Sequence, residues 1–151
     1  MTPPLGIIEG YYGRPWSWDM REDQARFLSA HGYASYIYAP KADVYLRRRW
    51  REDHPPAEAD RLARMAAVCA SLGVGFGVGL SPYEAYRDFG EETKAALARK
   101  LAFLDQAGVT ELALLFDDMK GDQADLAEAQ VRMAHFAAEH SNARNAAIVN
   151  P

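Results

Sequence analysis

The sequence predicts an α/β fold built on a parallel sheet. Three observations predict it: short β-branched and aromatic runs recur along the chain, longer stretches of helical periodicity separate them, and a glycine closes each of the first three helical stretches. The runs are "GIIEGYYG", "ASYIYAP", "GVGFGVGLSP", "LALLFDD" and "AAIVNP", and each reads as a strand. Between them, Leu62, Met65, Cys69 and Leu72 share one helical face, and Leu97, Leu101 and Leu104 share another. Gly32, Gly73 and Gly108 stand where a helix commonly ends on a residue of positive φ. Pro55 and Pro56 suit the first turn of the second helix, and Gln123 to His140 reads as a fourth, with Leu126, Met133 and Phe136 available for packing. The order is βαβαβαβαβ, which implies right-handed crossovers between parallel strands.

Two architectures satisfy that order. A doubly wound open sheet is complete at 151 residues, whereas a closed eight-stranded barrel typically needs about 250. Against length stands the distribution of polar and aromatic groups at the C-terminal ends of four successive strands: Glu9 to Gly13, Tyr38 with Lys41, Ser81, then Asp117 and Asp118. An open sheet concentrates its site at one switch point, whereas a barrel draws on every βα loop.

Composition bounds the rest. A chain that is 49% apolar and 25% charged reads as a single globular domain, residues 1–151. A net charge of −4 gives no reason to expect nucleic acid, although Arg47, Arg48, Arg49 and Arg51 form one local basic cluster. Cys69 alone makes neither a disulfide framework nor a cysteine metal site and fits a reducing compartment. The opening "MTPPLGIIEG" lacks the features of a secretion signal, and no apolar run is long enough to span a bilayer, so the expectation is a cytoplasmic protein without a membrane partner.

The pair Asp117 and Asp118, closing an apolar strand, has three uses. One is structural: Asp118 or Asp122 caps the helix beginning near Gln123, a task that needs one carboxylate. A second is Mg²⁺ or Ca²⁺ binding by Asp117, Asp118 and Asp122, but no Walker-type phosphate loop accompanies them. The glycines of "GVGFGVG" lie inside a strand and mark close backbone packing instead. The third use is acid–base chemistry: adjacent carboxylates resist joint ionisation, so one stays protonated as a general acid while the other stays charged. Consecutive side chains on an extended strand diverge. They do not flank a glycosidic bond at the roughly 5–5.5 Å of a nucleophile and acid pair, so the nucleophile comes from elsewhere, the substrate included.

Three blocks, "GIIEGYYGRPW", "YIYAPKAD" followed by "RRRWRE", and "LALLFDDM", resemble in order those of the β-N-acetylglucosaminidases of glycoside hydrolase family 84, from about Leu5 to the end of the chain. The resemblance implies a (β/α)8 TIM barrel, of which this chain holds the first four βα units plus the fifth strand. It also implies substrate-assisted retaining hydrolysis of terminal β-linked N-acetylglucosamine, in which the 2-acetamido oxygen attacks and an oxazoline forms, with no cofactor and no metal. By the same resemblance Asp117 orients the acetamido N–H and Asp118 protonates the leaving oxygen and later activates water. Gly10, through its carbonyl, and Lys41 contact sugar hydroxyls, and Tyr12 joins the pocket wall.

Plainer roles exist for some of these residues. Gly10 serves a tight turn, Lys41 is an ordinary surface lysine, Tyr11, Tyr12 and Trp16 are packing aromatics, and Arg51 with Glu52 is a solvated ion pair. The chain departs from the family pattern at Ala42, where a second acid is usual, at Leu46, where a histidine is usual, and at Tyr83, where a glycine is usual; these positions bear on the pocket rim and the choice of aglycone. "AAIVNP" resembles the family's fifth strand, with three further βα units expected beyond it. The chain is therefore expected to be the N-terminal half of one catalytic domain, weakly active alone, and partnered by its C-terminal half or by copies of itself to cover exposed edges. The alternative function is a non-catalytic module that binds N-acetylglucosamine or acts as a scaffold.

Overall fold

The computed structural model describes residues 4–117 and 119–143, and the backbone of 145–149. Five strands, β1 (Gly6–Glu9), β2 (Ser35–Tyr38), β3 (Gly75–Leu80), β4 (Glu111–Leu115) and β5 (Asn145–Val149), alternate with four helices, α1 (Trp18–Ala30), α2 (Pro56–Ser71), α3 (Glu91–Gln106) and α4 (Leu126–His140). All pairings are parallel, and the strand order is the sequence order, β1 to β5. No reversal of order occurs, so the described sheet has no switch point of the doubly wound kind. Right-handed crossovers that always step in one direction leave every helix on one face.

Local chemistry sets the boundaries. Ser17 caps α1 by accepting from the Met20 N–H at 3.2 Å, and Pro55 and Pro56 open α2 as expected. Gly32, Gly73 and Gly108 have φ of 72°, 69° and 87°, the left-handed conformation anticipated for a helix stop. Helix α4 begins at Leu126, three residues later than the sequence suggests. Asp122 does not cap it; that carboxylate accepts instead from Arg87 at 3.3 Å.

Strand alternation divides the sheet into two faces. Ile7, Tyr36, Phe76, Val78, Leu80, Leu112 and Leu114 pack against the helices, where they meet Leu28, Leu62, Met65, Cys69, Leu97, Leu101 and Met133 in one core. The opposite face carries Ile8, Ile37, Ala113 and Leu115, together with Gly75, Gly77 and Gly79. The three glycines make room for neighbours: a Cβ on Gly77 would lie 2.9 Å from Ile37 Cγ1, and one on Gly79 would lie 2.5 Å from Ala39 Cβ. Close packing is therefore why glycine stands there, as the sequence indicated.

Two polar residues assigned from sequence to the strand ends turn the other way. Glu9 is buried on the helix side, where Arg21 donates to its two oxygens at 2.9 and 2.8 Å and the Tyr36 hydroxyl donates a further bond. Tyr38 is also on that side, stacked on Trp18 at 5.5 Å and donating to Asp43. The reason is parity, since each lies an odd number of residues from a position facing the opposite side. Arg51 and Glu52 are not a pair either: Arg51 donates to Thr93 Oγ1 at 2.8 Å and lies over Trp50, while Glu52 receives both bonds of Arg49.

Candidate active site at the C-terminal rim of the sheet

The residues beyond the strands on the helix-free face define the site. From β1 the chain runs through Gly10 to Tyr12, from β2 to Lys41, and from β4 to Asp117. Parallel strands bring these ends to one rim. Lys41 Nζ donates to Asp117 Oδ2 across 76 residues of sequence, with the lysine side chain largely buried and the aspartate partly so. The same Nζ lies 5.7 Å from the centre of the Tyr12 ring. Tyr12 itself is 74% exposed and so forms a rim and not a buried wall.

Arg47, which the sequence offered only as one of a basic cluster, joins these pieces. Its Nη1 donates to the Lys41 carbonyl at 3.0 Å, and its guanidinium lies 5.9 Å from the Tyr12 ring centre. Asp43 fixes the same loop from below. It caps the 3-10 turn Val44–Leu46 through the Tyr45 N–H and accepts from Tyr38. The network around Asp43 keeps its carboxyl below the ordinary range against the opposing effect of burial, with the His54 and Tyr38 hydrogen bonds as the causes.

Gly10 is not in the left-handed region, and the nearest atom to a Cβ built there is Ile8 Cγ1 at 3.8 Å. Neither a tight turn nor crowding requires glycine at this position. Ser81, at the end of β3, is 2% exposed, and its hydroxyl has no hydrogen-bond partner. Tyr11 and Trp16 make an edge-on pair at 5.8 Å.

Asp118, predicted as the acid, lies outside the described residues. Among the described residues no cluster of three or more His, Cys, Asp or Glu is placed to hold a metal ion. Of the three acids considered as metal ligands, Asp117 is engaged by Lys41 and Asp122 by Arg87. No helix among the described residues is long and apolar enough to cross a membrane. What the rim offers is an ammonium, a carboxylate and an aromatic plane close together, a set suited to hydroxyl and amide groups.

Comparison with known proteins agrees with this chemistry. The family model described as beta-N-acetylglucosaminidase matches residues 5–150. The Protein O-GlcNAcase of Rattus norvegicus is 34% identical over 114 residues, covering 76% of this chain and 12% of the relative, and that of Mus musculus matches equally. Among solved structures, a mutant O-GlcNAc hydrolase of Thermobaculum terrenum superposes with a TM-score of 0.76 at 29% identity, over 90% of this chain and 31% of the other. The protein CpGH84B superposes with a TM-score of 0.77 at 33% identity, over 87% and 24%. The chain thus spans about an eighth of the length of these curated relatives. Coverage of nearly every residue by the family model, together with these relatives, shows that the chain belongs to the β-N-acetylglucosaminidases of glycoside hydrolase family 84 and corresponds to the N-terminal part of their catalytic region.

Proposed function

We propose that this chain supplies the sugar-facing N-terminal part of a retaining β-N-acetylglucosaminidase that hydrolyses terminal β-linked N-acetylglucosamine with the substrate's own amide as nucleophile. The five sequential strands are the first five of a (β/α)8 barrel, and the helix-free face is the interior of that barrel. The observation that carries the reading is the convergence of Tyr12, Lys41 and Asp117, from three different βα loops, on one rim of the sheet.

The chemistry follows from the groups in place. The acetamido oxygen attacks C1 as the C1–O bond to the aglycone breaks, closing an oxazoline ring. Asp117 accepts the acetamido N–H, which fixes the amide for in-line attack and stabilises the positive charge that develops on it. Asp118 donates its proton to the departing oxygen, then takes one from the water that opens the oxazoline and returns the anomeric configuration. Lys41 and the Gly10 carbonyl hold sugar hydroxyls, one as a donor and the other as an acceptor.

The test compares leaving groups in the complete enzyme. Asp118→Ala should lower turnover about 10²-fold or more for aglycones of high pKa and far less for nitrophenolates, because only the former need the proton. Equal losses across the series would remove Asp118 from the acid role.

A further inference from the structure

The Ser81 hydroxyl is buried and without a hydrogen-bond partner in a turn that is bonded at several other groups. Its own N–H donates to the Leu46 carbonyl at 2.8 Å, which ties it to the loop that carries Lys41 and Arg47. Its carbonyl accepts from the Tyr83 N–H at 2.8 Å, and Trp50 Nε1 donates to the Tyr83 carbonyl at 3.1 Å. The next residue, Glu84, has φ of 58°, a conformation unfavourable for a side-chain-bearing residue. A turn strained and braced in this way holds Ser81 firmly, and a buried unpaired polar group in such a place calls for a reason.

Its direction suggests the reason. Leu80 faces the helical core, so Ser81 faces the other side, the side of Lys41 and Asp117. Leu80 pairs with Leu114, so Ser81 stands beside Leu115, two residues before Asp117. It shares with Leu115 and Met119, which bracket the aspartate in sequence, a space too narrow to admit a water molecule. The only donor to Asp117 among the described residues is Lys41. If Lys41 turns to a sugar hydroxyl, the carboxylate loses that donor at the moment when its orientation matters.

We propose that Ser81 is a positioning residue for Asp117, a hydroxyl donor that engages the carboxylate when Lys41 leaves it. The hydroxyl costs the free protein stability and returns a directed hydrogen bond in the state where the ammonium is occupied elsewhere. Its purpose rests on the glycosidase reading, but the link between Ser81 and Asp117 can be tested with no sugar present.

The test is a double-mutant cycle in the 151-residue chain, followed by thermal unfolding and by carboxyl ¹³C NMR of Asp117. In the wild-type background Ser81→Ala should leave the unfolding temperature unchanged or raise it, because no bond is lost. In the Lys41→Met background, which imitates departure of the ammonium, the same substitution should lower it by roughly 3–8 °C and move the Asp117 carboxyl ¹³C resonance, which it leaves in place in the wild-type background. Lys41→Gln serves if the methionine variant does not fold. An equal effect of Ser81→Ala in both backgrounds, on temperature and on the Asp117 resonance alike, overturns the proposal while leaving the glycosidase reading intact. Should the cycle show coupling and the complete enzyme still lose nothing with Asp118→Ala, the glycosidase reading falls and the Ser81 link stands.

Discussion

At Glu9 a carboxylate is held out of water by both arms of the Arg21 guanidinium and by the Tyr36 hydroxyl, with Trp18 and Tyr38 over the faces of the guanidinium at 4.6 and 4.9 Å. Removing one partner of such a pair leaves an uncompensated buried charge. Arg21→Met should therefore lower the free energy of urea unfolding by about 3–5 kcal/mol, whereas Arg26→Ala, in an exposed pair, should change it by less than about 1 kcal/mol. Lys100 makes a pH-dependent contribution. Buried beside His54 and donating to the Glu52 carbonyl at 2.7 Å, its ammonium is pushed down to about 8 by burial. The folded state thus releases this proton more readily than the unfolded chain, whose lysine titrates near 10.4. Stability should rise with pH between about 8 and 10.4, and Lys100→Met should flatten that rise in unfolding curves measured at successive pH values. Gly10 makes no demand on the fold, so Gly10→Ala should leave stability within about 0.5 kcal/mol of wild type in urea unfolding. The motifs of the sequence single out Gly10, Tyr12 and Lys41 as candidates. The place of Glu9 was not legible there, because one step along a strand reverses the face and a single Glu carries no mark of which face it takes.

The elements show where a sequence speaks plainly. A helix stop that needs positive φ demands glycine, so Gly32, Gly73 and Gly108 mark three of the four helix ends without ambiguity. The start of α4 carried no comparable mark. Asp118, Asp122 and Asp125 were all available there, and Asp125 at the cap position makes no capping hydrogen bond but an ion pair with Arg132 at 3.6 Å. The glycines of β3 were legible as close approach, but which neighbours fill the space depends on register across three strands, with Ile37 from β2, Ala39 just beyond it, and Glu111 and Leu115 from β4. That register orders the cost of adding a methyl. Gly79→Ala meets Ala39 Cβ and Leu115 Cδ1 at 2.5 and 2.9 Å and should cost about 1–3 kcal/mol, since Ala39 has no rotamer to yield. Gly75→Ala meets chiefly the carboxylate end of Glu111, which can swing aside, and should cost less. Chemical denaturation of the two variants decides the order.

For the molecule as a whole, alternation of elements predicts parallel strands but not their order, because helices on one face or on two give the same string. The clue was that site residues follow several strands and not one pair. Lys41 and Asp117 do meet at one rim of the sheet, although Glu9 and Tyr38, counted in the same list, face the helices. A sequential parallel sheet with its helices on one side leaves the other side to be covered, and its margin is apolar: Ile8 is 47% exposed on that face, and Leu5 is exposed just before β1. Strand β1 pairs only with β2 among the described residues, so its outer edge presents unpaired backbone groups next to that apolar patch. Such an edge is a template for another strand, and a lysine placed on it opposes pairing at little cost to a site that is already solvated. The weight-average mass of the chain in sedimentation equilibrium should therefore rise with concentration, and Ile8→Lys should suppress the rise without lowering the unfolding temperature by more than a few degrees. A wild-type chain that stays monomeric at high concentration would mean that the apolar margin is shielded by some arrangement other than self-association.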